Sequence, residues 1–312
     1  MLSEADVREL LDLDQLIDAL EDGFRALSSG RADVAPRTGV NTENEGFLLA
    51  MPGYAAGLGL GVKLVTGFPD NHTLGLPAYQ ALVALFDPAT GSPLAVMDGT
   101  RITAIRTAGA AAVSARHLAR NDARVLAIIG AGVQGHAHLE ILPRVRDFEE
   151  IRIASRTAES ARALSARDPR ARAVDGYEAA VRGADVVALC TNSVAPVIES
   201  SWVSPGTHVS SVGFAPPGGE LDRELAETAT LFVESRAVAF QPAPAGCVEL
   251  VGMDAERATE LGEVLLGTRP GRRSREEITV YKSMGHAVED LAAAGLVYRA
   301  AVAKGVGAAF EL

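Results

Sequence analysis

The chain has 312 residues, of which 48% are hydrophobic and 22% are charged, and its formal net charge is -11. This length is enough for about two domains with buried cores, and the composition is that of a globular chain rather than a disordered one. The excess of acidic residues argues against a nucleic-acid partner, because phosphate backbones are bound by concentrated lysine and arginine.

The N-terminus predicts helix rather than a targeting segment. Ser3 followed by Asp6 resembles a capping box, and apolar residues at helical spacing continue to about Leu27. This acidic, amphipathic start lacks the basic residues and apolar run of a signal peptide, and no later stretch has the roughly 20 apolar residues of a membrane span. Cys190 and Cys247 show no metal-ligand or redox spacing, so a reduced, cytoplasmic protein is expected.

After a break in the segment LSSGRADVAPR, residues 47–98 predict strands of a mostly antiparallel sheet. The short apolar runs FLLAM, GLGVKLVTGF, AYQALVALFD and PLAVMD are separated by glycine, proline and asparagine. The segment DPATG, from Asp87 to Gly91, is predicted as a hairpin turn. The alanine-rich stretch from Ile102 to Arg120 then predicts one long helix.

From residue 124 onward, strand patterns alternate with helical patterns, which predicts a parallel, doubly wound sheet of the Rossmann type. The strand patterns are RVLAIIG, IRIAS, ADVVALCTN, THVSSVG and TLFVES. The tail VYKSMGHAVEDLAAAGLVYRAAVAK is predicted to be helical and to pack back on the first domain. The predicted fold class is therefore α/β, with a first domain of residues 1–118 and 290–312 and a dinucleotide-binding domain of residues 119–289.

The stretch VLAIIGAGVQGHAHLEIL predicts a dinucleotide-binding turn. Gly130, Gly132 and Gly135 form G-x-G-x-x-G directly after an apolar strand and directly before a helix. Such glycines allow a tight turn and let the backbone approach a pyrophosphate, which the helix N-terminus attracts. A turn that binds nothing is the alternative, but the strand and helix context favours NAD(P). Val133 and Gln134 lie inside the motif and belong to the predicted cofactor site.

The end of the second predicted strand bears on which cofactor is bound. An acidic residue there would hydrogen-bond the ribose hydroxyls of NAD, whereas this chain has Ser155, Arg156 and Thr157. Serine and arginine can bind a 2′-phosphate, so a preference for NADP(H) over NAD(H) is expected. The alternative is that Arg156 is a solvated charge beside the site.

Residues after later strands are also expected to face the cofactor. These candidates follow two strands or lie on the long helix: Cys190, Thr191, Asn192, Val212, Gly213 and Thr107. A small buried residue is the alternative role for Cys190. His136 and His138 fall on different faces of their helix, so no metal site is predicted.

Three cations outside the dinucleotide domain are candidates for holding an anionic substrate: Arg37, Lys63 and Arg106. A hydride donor needs an electron-poor partner held in line, and an anionic partner needs fixed cations. Lys63 is the most informative, because it falls in mid-strand, where a charge is unfavourable unless it faces a polar site. Arg106 lies among alanines on the long helix. Each of the three could alternatively belong to a structural ion pair.

The tail contributes weaker candidates. His286 has Glu289 and Asp290 nearby in sequence, and it is expected to be a packing or supporting residue, with proton donation as the alternative. Lys282 and Ser283 are expected to approach the same site.

These motifs, in this order, resemble the ornithine cyclodeaminase and mu-crystallin family over nearly the whole chain. The matching segments are MPGY, GVKLVTGFPDN, GAGVQGHAHL, ELGEVLLG and ITVYKSMGHAVEDLAAA, with the long stretch from Gly75 to Ala112. The resemblance implies a central Rossmann domain, an α+β substrate and dimerisation domain built from both chain ends, and a homodimer. It also implies that Arg37, Lys63 and Arg106 clamp a substrate carboxylate, which agrees with their residue types.

One segment departs from the cyclodeaminase pattern. Cyclodeaminases carry an aspartate in a segment of the type G-x-D-x-P-G-K-x-E-L, which helps deamination and ring closure. Here the segment is GFAPPGGEL, residues 213–221, with Ala215 nearest the aspartate position. Glu220 and Asp222 follow, and both are predicted to belong to the start of the next helix, where acids suit the dipole.

The chain resembles the family but lacks the cyclodeaminase aspartate. This combination favours NAD(P)H-dependent reduction of a 2-imino acid or cyclic ketimine carboxylate to an L-amino acid. Arg37 and Arg106 would hold the small anionic substrate by its carboxylate, with Lys63 orienting it and assisting protonation. Two alternatives remain open. One is ornithine cyclisation to proline with NAD recycled in the site, and the other is NADP(H) or ligand storage without turnover, as in mu-crystallin's ligand-binding role.

Overall fold

A computed structural model of the chain describes residues 1–43 and 45–309. The chain forms two compact units, one of Met1–Arg106 with the segment that begins at His286, and one of Thr107–Gly285. The predicted division lay after residue 118 and before residue 290. The observed boundaries fall earlier, because the helix that contains Arg106 and Thr107 is divided between the units. Residues 310–312 of the predicted C-terminal segment lie outside the described residues.

Helices and strands are numbered separately along the chain. The helices are α1 Glu4–Leu10, α2 Leu13–Ser28, α3 Gly99–Leu118, α4 Val133–Ile141, α5 Ala158–Ser165, α6 Tyr177–Val181, α7 Arg223–Thr228, α8 Arg236–Ala239, α9 Leu261–Leu266 and α10 Ala287–Lys304. The strands are β1 Ala32–Val34, β2 Thr38–Asn41, β3 Phe47–Ala55, β4 Gly59–Gly67, β5 Tyr79–Phe86, β6 Pro93–Asp98, β7 Val125–Ile129, β8 Glu150–Ala154, β9 Ala171–Ala173, β10 Val186–Leu189, β11 His208–Ser211, β12 Thr230–Val233, β13 Thr259–Glu260 and β14 Thr279–Lys282. No helix in the described part of the chain is long and apolar enough to cross a membrane.

The strands of the first unit form one six-stranded antiparallel sheet. Their order is β1-β3-β4-β5-β6, with β2 also paired to β3. The four apolar runs correspond to β3 to β6, and the turn from Asp87 to Gly91 joins β5 to β6, so these predictions are confirmed. The predicted capping box of Ser3 and Asp6 starts α1. The segment predicted only as a break contains β1 and leads into β2.

Helix α10 packs directly on this sheet. It contacts α2, β3 and β4. Two glycines permit the close approach, since a Cβ at Gly53 would lie 3.1 Å from the Cβ of Ala287, and one at Gly61 would lie 3.0 Å from a methyl carbon of Leu291. The helix therefore places its first turns against the strand that carries Lys63.

The second unit is an eight-stranded parallel sheet. The strand order is β13-β12-β14-β11-β10-β7-β8-β9, and the pairings are parallel throughout. From β7 the chain builds outward through β8 and β9, and then returns to the other side of β7 with β10 and β11. This confirms the predicted Rossmann-type sheet. In such sheets a ligand binds outside the carboxyl ends of the strands where the order reverses, here between β7 and β10.

The tail is not helical throughout, so that prediction is wrong in part. Thr279–Lys282 forms β14 between β11 and β12, and α10 begins only at Ala287. All residues of β14 are buried. A strand that is buried on both faces lacks the alternation of apolar and polar residues that separates a strand from a helix. The long helix predicted from Ile102 is confirmed, with bounds of Gly99–Leu118.

Candidate functional site

The glycine turn between β7 and α4 has the geometry that a dinucleotide requires. Gly130 has a φ of +109°, and a Cβ there would lie 2.5 Å from the carbonyl oxygen of Cys190. A Cβ at Gly135 would lie 2.1 Å from the carbonyl oxygen of Gly130, so glycine allows the helix to pack on the turn. Gly132 is the N-cap of α4, and a Cβ there would meet no atom within 4 Å. The outer side of the turn therefore leaves room for a pyrophosphate at the helix N-terminus.

The other residues of the motif fit the same ligand. Val133 is exposed on the first turn of α4. The side-chain oxygen of Gln134 is buried and has no hydrogen-bond partner within the described residues. Because a buried acceptor without a donor is unfavourable, this oxygen is suited to a donor supplied by a ligand. The residues present therefore fit a bound dinucleotide.

The segment after β8 presents a cation and hydroxyl groups at the adjacent strand end. Ser155 is half-buried and Arg156 is exposed. Thr157 is the N-cap of α5, where its hydroxyl accepts from the backbone N–H of Ser160. None of these three residues is acidic. A phosphate group bound at this strand end would therefore not be repelled by a carboxylate of Ser155, Arg156 or Thr157.

Glu220 joins the loops that follow β10 and β11, which corrects the prediction that it begins the next helix. Its carboxylate accepts from the N–H and hydroxyl of Thr191 at 2.6 and 2.7 Å, and from the hydroxyl of Ser211 at 3.0 Å. It also accepts from the N–H groups of Val212 at 3.1 Å and Gly213 at 2.6 Å. These donors at the strand ends need an acceptor, which is why the fully buried carboxylate turns inward.

The neighbours of Glu220 differ in their roles. Asp222 does cap a helix, as predicted, because it is the N-cap of α7 and accepts from the N–H of Glu224. Asn192 is exposed. Cys190 is buried, and its burial and the charge of Glu220 raise the pKa of its thiol well above the ordinary value. Cys190 is therefore an unreactive thiol at neutral pH.

The first unit contains a buried cluster of charges around Lys63. The Nζ of Lys63 on β4 lies 2.9 Å from both carboxylate oxygens of Asp290 on α10. Arg106 on α3 donates from Nε to Asp290 at 2.9 Å and from a terminal nitrogen to Glu289 at 2.7 Å. All four side chains are at most 5% exposed. The structure thus brings two of the three predicted cations together and adds two carboxylates.

The surroundings of Lys63 make it a readier proton donor than an ordinary lysine. Burial lowers its pKa to about 8, the charges of Arg106 and Arg37 lower it as well, and Asp290 opposes them. Arg37 is half-buried between β1 and β2, so the third predicted cation lies within electrostatic reach of the cluster. Burial alone would raise the pKa of Asp290, but Arg106 and Lys63 hold it below the ordinary value.

The carboxylates of this cluster are functional candidates that the sequence reasoning did not assign. In the sequence Glu289 and Asp290 stand out only as neighbours of His286, although a lysine in mid-strand needs a buried counter-charge. The available signal is an acidic pair in the otherwise apolar helix AVEDLAAAGLV. His286 itself is the N-cap of α10, and its N–H donates to Glu289 at 2.8 Å. Thr107, a predicted cofactor residue, is buried on α3 directly after Arg106.

The whole chain is similar to proteins of known activity. The model of the ornithine cyclodeaminase/mu-crystallin family matches residues 1–305. The ketimine reductase mu-crystallin of Mus musculus is 42% identical over 259 residues, which are 82% of this chain and 81% of the mouse protein. The structure of the Δ1-pyrroline-2-carboxylate reductase of Thermococcus litoralis with NADH and L-proline has a TM-score of 0.93 at 34% identity, covering 99% of both chains. An archaeal alanine dehydrogenase dimer with NAD bound has a TM-score of 0.92 at 34% identity, covering 99% of this chain and 98% of that chain.

Proposed function

The chain belongs to the ornithine cyclodeaminase/mu-crystallin family, and from this premise we propose how its residues serve the NAD(P)H-dependent reduction of a C=N bond. The substrate class is a 2-imino acid or a cyclic ketimine carboxylate, and the product is an L-amino acid. Reductases of such substrates are among the relatives, including the mouse ketimine reductase and the reductase whose structure is in complex with NADH and L-proline. Loss of NAD(P)H absorbance when such an imine is added tests this assignment.

The buried ion cluster carries the proposal for the substrate site. Two cations of this cluster, Lys63 and Arg106, pair with the carboxylates Asp290 and Glu289. With Arg37, whose charge acts on Lys63, these five groups sum to one positive charge. One substrate carboxylate would neutralise that charge. Arginine can grip a carboxylate with two parallel hydrogen bonds, whereas lysine offers a point charge that can also carry a proton.

Lys63 is the proton donor of the proposed reaction. NAD(P)H held by the turn of Gly130, Gly132 and Gly135 would supply the hydride that the imine carbon needs, and the chain itself would supply the one proton that the imine nitrogen needs. With a pKa of about 8, Lys63 is protonated at neutral pH yet close enough to neutrality to give up its proton. Arg106 and Arg37 stay charged throughout and hold the carboxylate, and Asp290 keeps the Lys63 ammonium in place.

The segment after β11 supports reduction rather than cyclodeamination. Ala215 occupies the position nearest the cyclodeaminase aspartate. The acid that follows, Glu220, cannot take over, because it is fully buried and both of its oxygens accept hydrogen bonds from the loops. Within residues 213–221, the chain therefore offers no free carboxylate to activate water or an amine.

Arg156 supports the proposal that NADP(H) is preferred over NAD(H). Replacing Arg156 with Asp is expected to shift the ratio of the NADPH and NADH affinities toward NADH by about 10- to 100-fold, because a charged hydrogen bond to the 2′-phosphate is lost and a repulsive charge is added. Titration of both cofactors against both proteins measures the ratio. Arg162→Asp, on the following helix, is the matched charge control. Unchanged affinities in Arg156→Asp would refute the assignment.

An apolar sheet face supports the proposal of a homodimer. The face of the antiparallel sheet opposite Val83 and Leu85 carries three cross-strand rows that are mainly apolar: Pro52, Val62, Ala84 and Val96 in one row, Ala50, Leu64 and Leu82 in the next, which ends at Asp98, and Tyr54, Leu60 and Phe86 in a third. The row beyond the second, Leu48, Thr66 and Gln80, is partly polar. A solvated face of an antiparallel sheet would instead be polar. We assign a second copy of this chain as its cover, since the similar archaeal alanine dehydrogenase is a dimer.

A charge in the middle of this face tests the dimer. Leu82 is 40% exposed, so Leu82→Lys is expected to leave the subunit folded but to convert the dimer to a monomer, because the ammonium would be buried unpaired in the interface. Light scattering after size-exclusion chromatography measures the mass. Val302→Lys, at an exposed apolar position on α10, is the control that should remain dimeric. A monomeric wild-type protein, or a dimeric Leu82→Lys variant, would contradict the proposal.

A further inference from the structure

A second buried charge network lies within the dinucleotide-binding unit. It consists of Glu220, Lys282 at the end of β14, and Glu249. Glu220 and Lys282 are fully buried, and the Nζ of Lys282 lies 2.9 Å from a carboxylate oxygen of Glu249. Buried charges are unfavourable unless they are paired and hydrogen-bonded. Apolar side chains would stabilise the sheet without this penalty, so we ask what else these three charged residues do.

The network makes hydrogen bonds with both the N–H and the carbonyl oxygen of Gly213. The N–H of Gly213 donates to Glu220 at 2.6 Å, and its carbonyl oxygen accepts from Lys282 at 2.8 Å. Lys282 also donates to the Ser211 hydroxyl at 3.1 Å. Burial opposes the charge of Lys282, but the negative groups around it, including Glu249 and Glu220, raise its pKa, so the ammonium persists.

Glu220 also determines the spacing between two adjacent loops. One of its oxygens accepts from Thr191, which follows β10, and the other accepts from Ser211, Val212 and Gly213 at the end of β11. The space between the loops is filled, because a Cβ at Gly213 would lie 2.4 Å from the carbonyl oxygen of Thr191 and 2.6 Å from the carboxyl carbon of Glu220.

The position of these loops in the sheet indicates which half of the cofactor they would serve. The adenosine half of a dinucleotide lies over the strands on one side of the reversal point, here β7 and β8, and the nicotinamide half lies over those on the other side. The loops that Glu220 joins follow β10 and β11, on the nicotinamide side. The hydrogen bonds of the Glu220 carboxylate go to these two loops, and not to the glycine turn or to the segment after β8.

We propose that Glu220, with Lys282 and Glu249 behind it, is a positioning residue that fixes the two loops against which the nicotinamide half of the cofactor binds. This inference rests on the proposed function. It assigns to the segment GFAPPGGEL a role in shaping the cofactor site, in the place where cyclodeaminases use a reactive acid. Glu220 acts through the loops and does not touch the reacting atoms.

The carboxylate form of Glu220 is required, because all five of its partners are donors. Glu220→Gln keeps the shape of the side chain. Its amide NH₂ is a donor, however, and in either orientation it would point at a backbone N–H, which is also a donor. A buried donor that loses its acceptor is unfavourable, and the loops can relieve the conflict only by moving apart.

The test compares the cofactor with a fragment that lacks nicotinamide. We expect Glu220→Gln to weaken NADPH and NADH binding by about 10- to 100-fold, the range expected when a buried hydrogen bond to a charged group is lost, while ADP-ribose affinity stays that of the wild type. Isothermal titration of each ligand measures the difference. Glu263→Gln, which removes a carboxylate that pairs with Arg236 beside α9, is the matched control and should change neither affinity.

A second variant guards against a folding defect in Glu220→Gln. Gly213→Ala leaves the carboxylate in place and wedges a methyl group between Thr191 and Glu220, so it should produce the same selective loss of nicotinamide affinity. Equal losses for NADPH and ADP-ribose, or no loss in either variant, would overturn the positioning role. If the wild-type protein binds ADP-ribose no less tightly than NADPH and reduces no imine, the proposed function fails as well. If the wild type binds NADPH and reduces an imine, and Glu220→Gln binds NADPH with the same affinity, the positioning role of Glu220 is overturned while the proposed function stands.

Discussion

Replacing Lys63 with methionine is expected to lower kcat for imine reduction by about 10²- to 10⁴-fold while cofactor affinity stays unchanged, because the proton donor is lost and the side-chain length is kept. Lys63 lies within the cluster of Asp290 and Arg106 and is 2% exposed, so bulk water cannot readily replace it. Steady-state kinetics with saturating cofactor, together with a direct titration of NADPH, separate the two effects.

The pH dependence provides the control for this substitution. In the wild type, the reductive reaction needs protonated Lys63, so kcat/KM should fall as the pH rises through about 8. The reverse oxidation needs neutral Lys63 and should rise over the same range. Lys63→Arg keeps the positive charge but cannot lose a proton at these pH values, so it should retain KM better than the methionine variant and lose the pH-dependent limb. Near-normal turnover by Lys63→Met would end the assignment.

Removal of Arg106 is expected to destabilise the protein more than removal of any surface arginine. In Arg106→Met, Glu289 and Asp290 remain buried without the guanidinium that donates a hydrogen bond to each of them. Breaking a buried pair by removing one partner costs about 3–5 kcal/mol. Both carboxylates are at most 2% exposed. The change is measured as the loss in free energy of unfolding in urea.

Two further variants separate this effect from ordinary loss of charge. Arg8→Met breaks the exposed pair with Glu4, where both side chains are more than half exposed, and should cost about 0–1 kcal/mol. Adding Glu289→Gln to Arg106→Met removes one uncompensated charge and should recover part of the loss. If Arg106→Met is as stable as Arg8→Met, the cluster does not hold buried, mutually dependent charges.

Much of the dinucleotide-binding unit could be predicted from local patterns. The G-x-G-x-x-G motif at Gly130 combines backbone geometry, helix start and strand end within a few residues, and each of these is encoded locally. The alternation of strands and helices after residue 124 predicts a parallel sheet because parallel strands need crossover connections. Lys63 could be recognised because a charge inside an apolar run is rare enough to be informative.

The residues that could not be predicted depend on contacts between distant parts of the chain. Asp290, the carboxylate paired with Lys63, is 227 residues from it in sequence, and only the packing of α10 on β4 brings the two together. Glu220 has the local pattern of a helix start, but the unpaired donors at the ends of β10 and β11 draw it inward. The strand β14 is buried on both faces, so its sequence lacks the period that would identify it.

The most direct test of the central claim is to mix the purified protein with NADPH or NADH and a set of imines. The set contains pyruvate with ammonia or methylamine, oxaloacetate with ammonia, and the five- and six-membered cyclic ketimine carboxylates. We expect reduced-nicotinamide absorbance to fall with at least one of them and the corresponding amino acid to form. No oxidation with any imine, together with conversion of ornithine to proline in the presence of catalytic NAD, would contradict the account.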